Sequence, residues 1–272
     1  IIPDGVEMIA PHAFNGASYL QNVQLPDSLK KIKNAAFQNC SELREILIPD
    51  GVVSLEEYAF YGCSSLKSIV IPDSVESIGQ HAFEGNRMLK SVTLSKNLKK
   101  IEPHSFESCG LVSLEIPEGV IEIGDSAFYG NRLTSLKLPN TLLKIGNEAF
   151  RNSFVYDLQK GNKSVIIPNS VNEIGAYAFL NNYLSDIKLP DKAISCGIFA
   201  FSGNNLSSLI IPEGTTSMTL PLIMGNVELH RIYLPKSLKE LSPLAIAKDG
   251  NMEFHTTNTP YDVDSYFFNN LV

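Results

Sequence analysis

Two histidines, His81 and His104, stand 23 residues apart, each two residues before a phenylalanine, and His12 holds the same place further upstream. If such stretches stack at sheet spacing, about 5 Å, two imidazoles come close enough to share a metal ion. The same position elsewhere holds Ala35, Tyr58, Ser126 and Tyr177, and no cysteine or carboxylate stands at a spacing that completes a ligand set. The three histidines therefore read as surface side chains, and no metal is expected. A second column, Asp4, Asp27, Asp50 and Asp73, follows prolines and continues later as Glu118 and Glu213. Stacked carboxylates can hold calcium through oxygen, but an aspartate after proline also serves its own turn. Lys96 and Asn140 interrupt the column, and the glycine-rich nonapeptides of calcium solenoids are absent.

The four cysteines follow the same spacing logic. Cys40, Cys63 and Cys109 each stand three residues after a phenylalanine, where Asn86, Asn131, Asn182 and Asn204 stand in other stretches. A column of small polar atoms suggests an inward side chain that meets backbone groups of a turn. Cys196 replaces an isoleucine of the core pattern. Cys40 and Cys63 fall in adjacent stretches, within reach of a bridge, but stacked side chains point alongside each other, so free buried thiols are expected. Catalytic motifs are missing: no Gly-x-Ser-x-Gly elbow, phosphate loop, His-Glu-x-x-His or dinucleotide fingerprint occurs. The chain does not read as an enzyme, and no cofactor is expected.

What positions every one of these residues is a repeat. Phe14, Phe37, Phe60, Phe83 and Phe106 lie 23 residues apart, and Phe128, Phe150, Phe179 and Phe201 continue the series at 22, 22, 29 and 22. Met224 and Ile246 stand where further phenylalanines are due. Eleven residues before each phenylalanine is a proline, Ser95 once replacing it. A fixed period of this size means a solenoid whose coils bury one face against the next.

The coil Leu66 to Met88 shows how this works. Leu66, Ile69 and Ile71 alternate with Ser68 and Val70, the pattern of a short strand with one face buried. Pro72 ends the strand, since it brings no amide to a ladder, and Asp73-Ser74 turns the chain. Val75 and Ile78 point inward from a second short extended segment, Gly79 permits positive φ, and Ala82 and Phe83 fill the interior. Strands are predicted near 22–25, 45–48, 68–71, 91–94, 113–116, 135–138, 165–167, 187–189, 208–211 and 231–234. Because each connection is a full coil, they must stack in parallel.

Function is sought on the exposed side of these strands. One column there runs through Leu47, Val70, Lys137, Ile166, Lys188, Ile210 and Tyr233, and a neighbouring one through several serines to Arg231. Leu47 with Val70, and Ile210 with Tyr233, are adjacent apolar pairs that invite protein contact, although strands favour such residues anyway. The coil between Phe150 and Pro168 carries seven extra residues, among them Phe154 and Tyr156, which form either a local tuck or a contact site.

These residues resemble the BspA-like leucine-rich repeat family, with its IP-[DE]-[SG]-V-x-x-IG-x-x-AF-x-x-C signature, from Ile1 to about Met252. The resemblance implies a right-handed leucine-rich-repeat solenoid with a concave parallel sheet, one strand per coil, and short extended or turn segments on the convex side. It also implies a bacterial surface protein used in adhesion or host binding, hence an extracellular location. The asparagine usual after the strand is missing, and Pro-Asp followed by valine or leucine replaces it.

The reading is one solenoid over residues 1–252, about eleven coils with the first truncated, and a C-terminal cap over 253–272. In that cap Thr259-Pro260 starts a small helix, and Tyr266, Phe267 and Leu271 cover the last coil. Ile1-Ile2-Pro3 reads as the tail of a strand, so a capping segment and a signal peptide are expected upstream. No apolar run approaches the 18 or so residues of a membrane span. The net charge of −7 argues against nucleic acid as partner. A non-enzymatic adhesion or binding module contacting extracellular protein, such as host matrix or plasma protein, is the function expected. A structural spacer within a longer surface protein and a glycan-binding module are the alternatives.

Overall fold

The computed structural model describes residues 1–154, 163–242, 245, 253–256 and 259–262. Two parallel ladders and one stacked turn column run side by side through a β-solenoid of about ten turns. The first ladder is the one predicted ahead of the prolines. Ser68–Val70 pairs with Ser91–Thr93, Ser113–Glu115 with Ser135–Lys137, Ser164–Ile166 with Asp186–Lys188, and Ser208–Ile210 with Arg231–Leu234, all in parallel. Residues 22 and 45 contribute only an isolated bridge. This ladder is interrupted rather than continuous, because pairing lapses between 93 and 113, 137 and 164, and 188 and 208.

The second ladder is made of two-residue strands that contain the inward isoleucine after each proline. Met8–Ile9, Lys31–Ile32, Ser54–Leu55 and Ser77–Ile78 form one sheet, and five strands from Lys100–Ile101 to Ser195–Cys196 form another. Gly79 enables this stacking for a reason other than the one expected: its φ is not positive. A Cβ there would lie 2.4 Å from the Glu57 amide nitrogen, so glycine is required by the close approach of the preceding coil.

The left-handed backbone occurs two residues later. His12, Ala35, Tyr58, His81, His104, Ser126, Glu148, Tyr177 and Phe199 all have φ between 52° and 60°. That conformation aims the amide of His81 at Pro103 O and that of Ser126 at Asn147 O, one coil on. Beside this column the phenylalanines stack ring on ring, 5.0 Å apart at Phe14–Phe37 and 6.0 Å at Phe179–Phe201. From Phe37 to Phe201 they are fully buried. In the next coil Ile223, not Met224, fills the phenylalanine position. Leu222 O accepts from the Phe201 amide as Ala200 O does from Phe179, which leaves Met224 exposed.

The helical cap is corrected. Among the described residues there is no α-helix. Glu253–Thr256 pairs in parallel with Arg231–Leu234 and so prolongs the first ladder, and Thr259–Asp262 returns antiparallel beside it. Pro260 fits this arrangement because the outer strand of a sheet does not need every amide. Tyr266, Phe267 and Leu271 lie outside the described residues.

Candidate functional site

Alternation along the first ladder decides what faces solvent. Ile69 and Ile71 point inward and are buried, whereas Val70 between them is 58% exposed. The same geometry leaves Leu47 at 79%, Ile166 at 65% and Ile210 at 61%. Ladder pairing with adjacent coils holds Val70, Ile166 and Ile210 on a rigid surface, so little ordering entropy opposes a contact made there, whereas Leu47 stands outside the paired strands. Ile166 is in register with Lys188 and Ile210 with Tyr233, which brings these candidates together pairwise. Leu47 and Val70 stand one coil apart.

The charged candidates are partly engaged. Lys137 Nζ donates to Glu115 Oε1 at 2.5 Å, and this carboxylate raises the lysine pKa by hydrogen bond and charge. Arg231 Nε lies 3.8 Å from Glu253 Oε2. Lys188 is exposed. Tyr233 is half-buried and stacks on His255 with ring centroids 5.3 Å apart, so one face of its ring is already covered. A sugar-stacking platform needs an open ring, and Tyr233 offers less of one than its position suggests.

Of the insertion candidates, Phe154 turns inward. It is 3% exposed, forms a parallel bridge with Leu133, and donates its amide to Asn182 Oδ1 at 3.0 Å. Its ring is tucked into the core. Tyr156 lies outside the described residues.

The columns that looked capable of chemistry bind the coils to one another. Asp73 Oδ1 accepts from the Lys96 amide at 2.9 Å, Glu118 Oε1 from Asn140 and Glu213 Oε1 from Lys236. Each acid thus joins its coil to the next instead of capping its own turn, and the amide holds the Asp73 carboxyl below its usual range. Among the described residues no group of three or more His, Cys, Asp or Glu is placed to hold a metal. The thiols of Cys40, Cys63 and Cys109 are free and donate to Phe14 O, Phe37 O and Phe83 O at 3.1–3.2 Å. Asn131 and Asn204 make the same bond through Nδ2.

The closeness of His81 and His104 follows from their spacing, but sequence reasoning missed the carboxylate that each histidine meets. Tyr58, His81 and His104 lie ring on ring at 4.7 and 4.6 Å, and each histidine Nδ1 meets the carboxylate three residues on, Glu84 at 2.5 Å and Glu107 at 2.6 Å. The signal was the His-x-x-Glu spacing, which the left-handed turn folds into contact. Those carboxylates orient the rings face to face, a geometry unsuited to a shared metal ion.

Comparisons with known proteins agree with this architecture. The model of the BspA type leucine rich repeat region matches the chain in six copies, over residues 1–111, 77–160 and 154–272. No curated protein gives a match. Among solved structures, a leucine-rich repeat protein from Bacteroides ovatus is 24% identical with a TM-score of 0.60, over 93% of this chain and 82% of that one. The pneumococcal vaccine antigen PcpA is 19% identical with a TM-score of 0.51, over 93% and 80%. A leucine-rich cell surface protein from Faecalibacterium prausnitzii is 23% identical with a TM-score of 0.46, over 96% and 86%. At these identities the structural likeness speaks to the fold alone.

Proposed function

Because the chain belongs to the BspA-type leucine-rich repeat family, we propose that it is a non-enzymatic binding module that works outside the cell or at its surface. It grips an extracellular protein, of the matrix or plasma class, through its first-ladder face. The observation that carries this reading is the column of exposed aliphatic side chains, Val70, Ile166 and Ile210 on the hydrogen-bonded ladder and Leu47 in line with them beyond its first strand. Exposed apolar surface on a preformed scaffold favours protein contact, because burying it gains hydrophobic free energy with little ordering cost. Lys188 and Arg231 flank these residues and would set orientation. The two ends of the column, Leu47 and Ile210, are seven coils apart, roughly 33 Å at sheet spacing. An extended partner therefore fits better than a compact small molecule.

A binding screen against extracellular-matrix and plasma proteins tests the reading, with the parent and a Leu47→Asp, Ile210→Asp double variant. Both changes fall on exposed positions, Leu47 between the buried Ile46 and Ile48 and Ile210 between the buried Leu209 and Ile211, and leave the core intact. The parent is expected to bind at least one protein, and the variant to bind it at least tenfold more weakly. Equal binding by both would remove the first-ladder face from the account. Binding by neither would favour a spacer.

A further inference from the structure

Among the described residues one boundary between coils differs from the others. Between the coil of Asp186–Lys188 and Ser195–Cys196 and the coil of Ser208–Ile210 and Ser217–Met218, neither ladder is paired. Every other boundary between strand-bearing coils keeps at least one ladder. What joins the coils here is the turn column, through Phe201 N–H to Leu222 O at 3.0 Å and Gly203 N–H to Met224 O at 2.7 Å, and one bond ahead of the strands, Asn205 N–H to Leu184 O at 2.8 Å. Phe179 and Phe201, just before the boundary, are the most widely spaced pair of the phenylalanine stack.

The cause is legible in the residues. Three positions after each earlier proline, or after Ser95, stands a valine or leucine, and six positions after it an isoleucine or leucine. In these two coils the first position becomes Ala193 and then Thr215, and the second becomes Cys196 and then Met218. Cysteine in place of isoleucine removes side-chain volume where the interior needs it, and packed interiors do not close such gaps freely. The result is a half-enclosed cavity of about 130 Å3 between the two coils, bordered by Leu189, Ile194, Cys196, Thr215, Met218 and Leu222.

We propose that this cavity binds a small, neutral, apolar molecule about the size of a single six-membered ring. The volume suits one such ring, since an enclosed apolar cavity of about 150 Å3 accepts benzene, and here Leu189, Ile194, Met218 and Leu222 supply the apolar contacts. Among the described residues no charged side chain borders it, and only the hydroxyls of Thr215, Ser217 and Thr219 add polarity, which favours a neutral occupant. The Cys196 thiol is held protonated, its pKa pushed up to about 12 by burial, so it packs against a ligand and does not attack it. A molecule held there touches both coils and replaces the contacts that the unpaired ladders lack. This site is independent of the first-ladder face.

Benzene titrated into methyl-labelled protein tests the proposal by nuclear magnetic resonance. The Met218 methyl should shift saturably, while those of Met8 and Met88, many coils away, should not. A Cys196→Ile, Thr215→Val variant fills the cavity and should weaken the Met218 response at least tenfold. Should it fail to fold, Cys196→Val alone removes part of the space and should weaken it several-fold. Absence of a saturable Met218 shift in the parent overturns the proposal, as does an undiminished shift in a folded cavity-filled variant.

Discussion

At the scale of the residue, two backbone demands govern each coil, and they fall on different positions. Gly79 meets the preceding coil so closely that a Cβ would sit 2.4 Å from a backbone nitrogen. Gly79→Ala is therefore expected to destabilise by about 1–3 kcal/mol, the scale of overpacking, in chemical denaturation. Ser126 bears the second demand, at φ 52°. Ser126→Gly removes the left-handed penalty, about 1–2 kcal/mol, but adds freedom to the unfolded chain. The net expected is between neutral and about 1 kcal/mol stabilising, and a loss would contradict the assignment. The glycine column was visible in the sequence but was attributed to the wrong cause. The left-handed column was not visible, because histidine, alanine, tyrosine, serine, glutamate and phenylalanine all occupy it. Its conformation is imposed by a hydrogen bond to the next coil, which no local propensity announces. The cysteine column was legible because a thiol and an amide share one task, donation to a phenylalanine carbonyl. Burial raises the Cys109 and Cys196 pKa values, so the stability of their neutral form is fully present below pH 9 and falls as pH rises toward 12. In native protein at neutral pH thiol reagents should react slowly and at Cys196 first, the one cysteine that is only half-buried.

At the scale of the element, the coil is the unit and its neighbours stabilise it. Phe83 is fully buried between Phe60 and Phe106, at ring distances of 5.2 and 5.1 Å. Phe83→Ala should cost about 3–5 kcal/mol and increase amide exchange in the coils on both sides. Unchanged thermal unfolding would remove the phenylalanine column from the core. The interruption of the first ladder gives a finer test. Ile167 and Ile211 donate their amides to Lys188 O and Tyr233 O, whereas no bond links Leu189 to Ile210. The Leu189 amide should therefore exchange faster than either. Strands ahead of the prolines were legible because alternation and a following proline agree there. The C-terminal strand pair was not, because Thr259-Pro260 suits both a helix start and an outer strand. Only its antiparallel pairing with Glu253–Thr256, itself held on Arg231–Leu234, decides between them.

At the scale of the whole molecule, one period organises both a stack and a surface. The stack follows from the sequence because burial restricts each column to a few residue types. The proposed binding face follows less completely, because an exposed position accepts any residue: Leu47 and Val70 share a column with Thr93, Glu115 and Lys137. What the structure adds is which members remain open, namely Leu47, Val70, Ile166 and Ile210, and which are engaged, namely Lys137 and Tyr233. Lysines on both ladders allow the proposed contact to be located directly, since Lys188 lies on the first ladder and Lys144 on the second. The decisive measurement is the rate of lysine acetylation, residue by residue, in the free protein and in its complex with a ligand found by the screen. Lys188 should be protected at least several-fold on binding while Lys144 reacts unchanged. Protection of Lys144 with Lys188 left reactive would place the contact on the other ladder and contradict the account.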